Sequence, residues 1–113
     1  MTYKIFDVVV VPFPFTDQSS EKKRPALVLS DFDQFNDKTE NCILAMITSE
    51  KNSEWPLDTH IGSLAKAGLP SPSKVRMKLF TLDSRLILKK IGGLSAKDQQ
   101  AVKENLKKLM CLS

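Results

Sequence analysis

The sequence predicts a mainly β domain of the α+β class, a small SH3-like antiparallel barrel with a C-terminal helix. Short apolar runs of strand length alternate with polar or Gly- and Pro-rich stretches. The apolar spacing changes to a helical period only after Gly92 and Gly93. A length of 113 residues suits one domain over residues 1–113 with one core.

Two apolar runs predict the first two strands. Asp7 to Pro12 reads DVVVVP, a continuous β-branched run that favours a short strand buried on both faces. A polar loop is expected from Phe13 to Lys23. The run PALVLS, from Pro25 to Ser30, predicts the second strand, because Pro tolerates a first strand position and disposes the preceding residue to extended geometry. Arg24 is therefore expected at the mouth of this strand.

The middle of the chain predicts one long strand and one short one. A polar loop is expected from Asp31 to Asn41, followed by a buried strand, CILAMITS, from Cys42 to Ser49. A turn over Glu50 to Trp55 then leads to a short edge strand from Leu57 to Ile61. Residues 65–73 are rich in Gly, Pro and Ser and predict another loop.

Two extended segments and the helix complete the chain. Residues 74–82 and 86–91 both alternate in part, with a tight connection from Asp83 to Arg85. Ser95 is a suitable N-cap, and Asp98 stands at the capping-box position. A helix is expected from Ala96 to Met110, with an apolar stripe at helical spacing that consists of Val102, Leu106, Leu109 and Met110.

Composition narrows the function only slightly. The net charge of +4 and a pI near 9.1 favour an anionic partner such as nucleic acid. The two cysteines, Cys42 and Cys111, form no metal or disulfide pattern, so reduced thiols are expected. The apolar N-terminal run is too short to span a bilayer and lacks a signal-peptide pattern, which predicts a cytoplasmic protein without membrane association.

Most catalytic and cofactor motifs are absent from the sequence. His60 is the only histidine, so one chain cannot form a histidine pair or a multi-histidine metal site. No nucleotide-binding or zinc-protease motif occurs. The acidic segment that begins at Asp31 has Asn36 where a calcium loop needs Gly and Cys42 where it needs Glu. We expect neither a metal nor another cofactor.

Arg24, at the start of one strand, and Thr48 with Ser49, at the end of another, remain as candidates for chemistry. If the two strands are antiparallel neighbours, the guanidinium faces two hydroxyls across a shallow pocket. This arrangement suits a phosphodiester, whose oxygens a planar guanidinium can bind in pairs. The alternative remains open that Arg24 only pairs with a carboxylate such as Glu21 and that Thr48 merely ends a strand.

Several blocks in order resemble the MazF/PemK family of toxins from type II toxin-antitoxin systems. The blocks are VVVVPFPFTD, KKRPALVLS, ILAMITS, LDTHI and SKVRMKLFTLDSRLI, and the resemblance covers about Ile5 to Leu88. Two positions depart from the family pattern: Phe6 stands where a glycine is usual, and Lys78 where many relatives carry glutamine. The first departure bears on the first turn, and the second on base selectivity.

The resemblance implies a MazF/CcdB-like fold and a metal-independent, sequence-selective endoribonuclease. Such toxins cut single-stranded mRNA through attack by its 2′-hydroxyl, leaving 2′,3′-cyclic phosphate and 5′-hydroxyl ends, and arrest growth. They form homodimers and are neutralised by an antitoxin with an acidic, disordered tail. The family's catalytic arginine and threonine correspond to Arg24 and Thr48.

Other residues are predicted to bind RNA rather than to react with it. Aromatic side chains at the loop could stack on bases, and cations could follow the backbone. Core packing or a solvated loop is the competing interpretation for several of them. The predicted substrate-binding residues are Phe13, Phe15, Lys22, Lys23, Ser49, Arg76 and Lys78.

Two other functions remain alternatives at this point. A gyrase poison like CcdB shares the fold, but that family depends on a Trp close to the C-terminus, whereas the sole Trp here is Trp55 and the chain ends LMCLS. A non-catalytic barrel that binds RNA or an antitoxin is the other alternative. Arg85 is expected to make a structural ion pair with Asp83 or with a neighbouring loop, and His60 to hydrogen-bond within its strand.

Overall fold

The computed structural model of the chain describes residues 2–13 and 22–112. Within them the strands are β1 (Asp7–Phe13), β2 (Lys22–Val28), β3 (Asn41–Ser49), β4 (Thr59–His60), β5 (Ser73–Asp83) and β6 (Lys89–Gly93). The helices are α1 (Asp37–Thr39), α2 (Leu64–Ala67) and α3 (Ala96–Met110), with a π-helical turn at Phe32–Asn36 and a 3-10 turn at Ser84–Leu86.

The strands form one antiparallel sheet in the order β4-β5-β3-β2-β1-β6. The two segments expected from residues 74–82 and 86–91 are strands, but they are not neighbours, since β6 pairs with β1. The 3-10 turn after β5 therefore leads the chain to β6, at the edge of the sheet opposite β4. The predicted class, an antiparallel β fold with a C-terminal helix, is confirmed.

Both faces of the central strands are buried, as the DVVVVP run predicts. Val8 belongs to a cluster with Leu27 and Val102, whereas Val9 belongs to a second cluster with Leu44. Successive side chains of a strand point to opposite faces, so a strand covered on both sides needs apolar residues at every position. Helix α3 covers the first cluster through Val102, which is fully buried.

Helix α3 has the predicted bounds, and its N-cap is confirmed. The Ser95 hydroxyl accepts a hydrogen bond from the backbone N–H of Asp98. The Asp98 carboxylate does not complete a capping box. It is buried and accepts hydrogen bonds from the backbone N–H groups of Gly62 and Ser63, which ties the segment after β4 to the helix.

Two predicted loops contain short helical turns instead. Residues 31–41 hold the π-helical turn and α1, and residues 65–73 overlap α2. Helix α2 ends at Gly68, whose left-handed backbone (φ 74°) allows its N–H to bond back to the helix. A four-residue helix is too short to show a periodic pattern, which explains why the composition of this segment indicated a loop.

The second strand begins earlier than predicted. Lys22 and Lys23 belong to β2 rather than to a loop, and they pair with Phe13 and Pro12 of β1. Arg24 is therefore the third residue of the strand, opposite Val11, and not at its mouth. Pairing with β1 extends β2 from Pro25 back to Lys22, because Pro lacks only its own N–H and leaves the neighbouring residues free to pair.

Phe6, the first departure from the family pattern, has a left-handed backbone conformation. Phe6 has φ 71°, a conformation that glycine adopts at little cost and other residues seldom adopt. Its N–H donates to the carbonyl of Val28, its carbonyl accepts from Leu94, and its ring is buried in the first core cluster. These contacts hold the left-handed backbone at Phe6.

Candidate active site

Arg24 and Thr48 face each other across the junction of β2 and β3. The two strands pair from Ala26 with Met46 to Val28 with Leu44. If the same register continued by two residues, Arg24 would stand opposite Thr48. The pairing ends at Ala26, however, so the strands separate here and leave space between these two side chains. The predicted antiparallel neighbourhood of the two strands is confirmed.

Two adjoining cavities occupy this space and share Arg24, Thr48 and Asn52 in their linings. The first, here called the Phe13 cavity, has a volume of about 190 Å³ and is lined by Phe13, Arg24, Met46, Ile47, Thr48, Asn52, Arg76 and Lys78. The second, the Ser49 cavity, measures about 250 Å³ and is lined by Arg24, Pro25, Ile47, Thr48, Ser49, Asn52, Leu69, Pro70, Ser71 and Ser73. Among the described residues, neither lining includes a carboxylate, whereas the Phe13 cavity has three cationic side chains.

The Arg24 guanidinium is exposed and lies 5.8 Å from the centre of the Phe13 ring. This contact places the cation against an aromatic face, which attracts it without neutralising its charge. Among residues 2–13 and 22–112, no carboxylate lies within ion-pair distance of Arg24. Glu21, the partner considered from the sequence, lies outside the described residues. An exposed cation in this position suits an anionic ligand.

Asn52 contacts Thr48 directly, and no sequence pattern indicated this residue. The Asn52 side-chain amide donates a hydrogen bond to the Thr48 hydroxyl oxygen. Asn52 lies in the turn after β3, where its N–H also bonds to the Ser49 carbonyl. Its spacing of four residues from Thr48 was the only available signal, and that spacing is uninformative outside a helix.

A buried ionic cluster holds the segment from Glu50 to Asp58. Lys74 is only 1% exposed, and its ammonium donates to the Asn52 carbonyl (2.7 Å) and to Glu54 (2.9 Å). Arg76 donates to the Asp58 carboxylate (3.0 Å), which has no exposed side-chain surface. The Arg76 guanidinium also lies 4.8 Å from the centre of the Trp55 ring. The segment is therefore tied to β5 at several points.

The cluster determines the charge state of Asp58. Burial by itself would raise the pKa of this carboxyl, but hydrogen bonds from Arg76 and from the Trp55 backbone N–H, with the nearby charges of Arg76 and Lys74, hold it below its ordinary value. Arg76 is thus both a lining residue of the Phe13 cavity and the ion-pair partner of Asp58. Much of its charge is already compensated.

The other predicted RNA-binding residues divide into three groups. Phe13, Arg76 and Lys78 line the Phe13 cavity, and Ser49 lines the second cavity. Lys78 lies where the pairing of β3 with β5 is irregular, and such bulges redirect side chains. Lys22 and Lys23 are exposed on β2 but line neither cavity. Phe15 lies outside the described residues.

His60 pairs with acidic side chains rather than within its strand. Its Nδ1 lies 2.8 Å from Glu50 Oε1, and its Nε2 lies 3.3 Å from Glu54 Oε1. The hydrogen bond to Glu50, and then the charge of that residue, raises the pKa of His60 above its ordinary value of 6.5. The imidazole therefore links the start and the middle of the segment from Glu50 to Asp58.

The His60 shift predicts a pH effect. The pKa of His60 is higher in the folded chain than in the unfolded chain. The contacts of protonated His60 therefore stabilise the fold fully at pH values below the unfolded pKa, and this stabilisation is lost as the pH rises through the folded pKa. An NMR titration is expected to give a His60 midpoint above 6.5, and Glu50→Gln is expected to lower it. An unchanged midpoint in Glu50→Gln would contradict the assignment of Glu50 as the cause.

A larger cavity, of about 500 Å³, lies apart from the predicted site residues. Its lining includes Tyr3, Glu40 and Arg85. Arg85 pairs with Asp83 at 2.7 Å, as the sequence predicts, and hydrogen bonds from Arg85 lower the pKa of Asp83 to about 2. In the part of the chain that the structure describes, no three His, Cys, Asp or Glu side chains are grouped to hold a metal ion.

Comparison with known proteins identifies the family. A model described as "PemK-like, MazF-like toxin of type II toxin-antitoxin system" matches residues 4–110. The chain belongs to this toxin family. Its members are generally endoribonucleases. Comparison with curated protein sequences gave no match. No helix within residues 2–13 and 22–112 is long and apolar enough to cross a membrane.

Solved structures share the fold. A MazE-MazF structure from Deinococcus radiodurans is 22% identical, with a TM-score of 0.79 and complete coverage of both chains. The Mycobacterium tuberculosis toxin MazF-mt6 is 21% identical, with a TM-score of 0.72 over 95% of this chain and 98% of the other. An endoribonuclease in complex with its cognate antitoxin from a mycobacterial species is 14% identical, with a TM-score of 0.76 and coverage of 99% and 96%.

Proposed function

We propose that this PemK/MazF-family toxin cleaves single-stranded mRNA at selected sequences, without a metal ion and with the 2′-hydroxyl of the RNA as nucleophile. One observation carries the proposal. The Arg24 guanidinium and the Thr48 hydroxyl line the same cavities, and no carboxylate of residues 2–13 and 22–112 lines those cavities. A phosphodiester in this position would meet hydrogen-bond donors and positive charge from the described lining residues.

The reaction requires little chemistry from the protein. The 2′-oxygen bonds to phosphorus as the bond to the 5′-oxygen breaks, which gives a 2′,3′-cyclic phosphate and a 5′-hydroxyl. One proton leaves the 2′-oxygen, and the 5′-oxygen gains one. The protein accelerates these steps by holding the 2′-oxygen in line and by stabilising charge on the phosphoryl oxygens.

Arg24 and Thr48 have different roles in this scheme. A guanidinium stays protonated in proteins, so Arg24 serves as a charge stabiliser that binds two phosphoryl oxygens and not as a general base. The Thr48 hydroxyl donates a hydrogen bond to the scissile phosphate. Phe13 and Lys78 contact the flanking nucleotides, and Ser49 contacts the phosphate from the second cavity.

The direct test uses purified protein and a single-stranded RNA in buffer that contains EDTA. Cleavage with 2′,3′-cyclic phosphate ends is expected, and sequencing of the 5′ ends should give a restricted set of sites. A matched RNA with a 2′-deoxynucleotide before the scissile bond should bind but resist cleavage. Supercoiling inhibition without RNA cleavage would instead indicate a gyrase poison, and salt-dependent RNA binding without products would indicate a non-catalytic barrel.

The proposed partners follow from the same site and from the family. We infer a homodimer in the cytoplasm and a cognate antitoxin whose acidic, disordered tail lies over the cationic Phe13 cavity. The positive lining supports this partner, because an acidic tail would compete there with RNA phosphates. An acidic antitoxin peptide should therefore inhibit cleavage competitively, with an inhibition constant that rises with salt.

Replacement of Thr48 by Val tests the hydroxyl alone. Val keeps the shape of Thr, so the fold should remain, whereas kcat should fall roughly 100-fold through loss of one donor to the phosphate. Single-turnover cleavage of a defined RNA measures the effect. Thr81→Val is the matched control, since Thr81 is exposed on β5 and lines neither cavity. Equal rates in the two variants would remove Thr48 from the mechanism.

A further inference from the structure

Asn52 determines which atoms of the Thr48 hydroxyl are available to a ligand. A threonine hydroxyl has one proton to donate and two lone pairs to accept hydrogen bonds. The Asn52 amide donates to the Thr48 oxygen, so it occupies a lone pair and leaves the hydroxyl proton for another acceptor. Thr48 and Asn52 line the same two cavities. A phosphoryl oxygen in either cavity is an acceptor of the required kind.

The backbone of Asn52 is held independently of its side chain. Its N–H donates to the Ser49 carbonyl at 3.1 Å, and its carbonyl accepts from the buried Lys74 ammonium at 2.7 Å. The next carbonyl, that of Ser53, accepts from Arg76. Truncation of the Asn52 side chain therefore removes the contact with Thr48 and leaves these backbone anchors in place.

We propose that Asn52 is a positioning residue for RNA cleavage: its amide orients the Thr48 hydroxyl as a hydrogen-bond donor toward the scissile phosphate. This inference rests on the proposed function. Asn52 acts through Thr48, so its effect should disappear when Thr48 has no hydroxyl. The proposed role requires an N–H donor in the side chain of residue 52. A side chain that only accepts hydrogen bonds would draw the Thr48 hydroxyl proton toward itself and away from the phosphate.

The first test is a double-mutant cycle on kcat with Asn52→Ala, Thr48→Val and the double variant. Asn52→Ala is expected to lower kcat about 10-fold with less than about a threefold change in KM. In the Thr48→Val background the same change should have no further effect on kcat. Independent, multiplicative losses would overturn the proposal, because Asn52 would then act without Thr48.

The second test uses Asn52→Asp and the pH profile. The ionised carboxylate only accepts hydrogen bonds, so it should turn the Thr48 proton away from the phosphate and lower kcat at pH 8. When the pH falls through the pKa of residue 52, the protonated carboxyl can donate again, and the rate relative to wild type should rise. A ratio that stays constant between pH 8 and pH 4 would overturn the proposal.

The chain contains a matched control for this hydrogen bond. Asn105 donates to the Thr59 hydroxyl at 2.7 Å, away from both cavities, so Asn105→Asp makes the same change to the same kind of pair. It is expected to leave kcat and its pH profile as in wild type. Thermal unfolding identifies any variant that fails to fold.

The failure of the proposed function and the failure of this inference give different results. If the wild-type protein does not cleave RNA, the proposed function fails. If it cleaves RNA and the Asn52 variants cleave at the same rate, only the role of Asn52 fails.

Discussion

Replacement of Arg24 by Ala is expected to lower kcat for RNA cleavage at least about 1,000-fold, because it removes the cation that stabilises charge on the phosphoryl oxygens. The side chain is exposed and has no ionic partner among the described residues, so the fold should not depend on it. Single-turnover cleavage measures the rate, and circular dichroism with thermal unfolding checks the fold.

Two further variants sharpen the interpretation of Arg24. Arg24→Lys keeps the charge but loses the planar pair of donors, so its activity should lie between those of wild type and Arg24→Ala. Arg85→Ala makes the same truncation and the same charge change at an exposed position outside both cavities, and it should cleave at the wild-type rate. Full activity of Arg24→Ala would exclude the proposed mechanism.

Replacement of Asp58 by Asn is expected to lower the free energy of unfolding by about 3 kcal/mol, because it leaves two cations near one another without the carboxylate they share. The Asp58 side chain has no exposed surface, and its carboxylate lies 3.0 Å from Arg76 and 3.7 Å from Lys74. For a domain of this size the loss corresponds to a melting temperature lower by about 10–20 °C. Denaturant unfolding at constant pH provides the measurement.

Replacement of Asp58 should also change how the free energy of unfolding depends on pH in acidic solution. The pKa of Asp58 is lower in the folded chain than in the unfolded chain. The ionised carboxylate therefore stabilises the fold at pH values above the unfolded pKa, and this stabilisation is lost as the pH falls through the folded pKa. Asp58→Asn should therefore flatten this part of the pH profile. Asp83→Asn is the control, since Asp83 also pairs with an Arg but is solvent-screened, and it should change stability little. Similar losses in both variants would contradict the importance of burial.

The largest elements of the fold could be predicted because their signals are local. Four consecutive valines predict a strand buried on both faces, and Ser95 followed by a helical apolar period predicts α3 with the bounds that the structure has. Helix α2 was missed because four residues provide no period. The start of β2 was placed too late because Lys22 and Lys23 pair with β1, and strand pairing depends on a distant segment.

Some residues of the candidate site could be predicted from the sequence, and others could not. The sequence indicated Arg24 and Thr48 because each is predicted next to a strand end, and antiparallel pairing of β2 with β3 brings them together although Arg24 is the third residue of its strand. Asn52 and Asp58 had no such signal. Their importance comes from contacts with Thr48, Lys74 and Arg76 that join different segments of the chain.

The sequence by itself determined the fold class, the family resemblance and the two residues proposed for catalysis, because these depend on patterns along the chain. Only the tertiary structure decided which side chains surround Arg24 and Thr48, that no described carboxylate neutralises Arg24, and that Asn52 donates to the Thr48 hydroxyl. The physical reason is that hydrogen bonds and ionic contacts depend on distance in space. For residues far apart in the chain, these distances follow from the strand register and from the ionic contacts of Lys74 and Asp58.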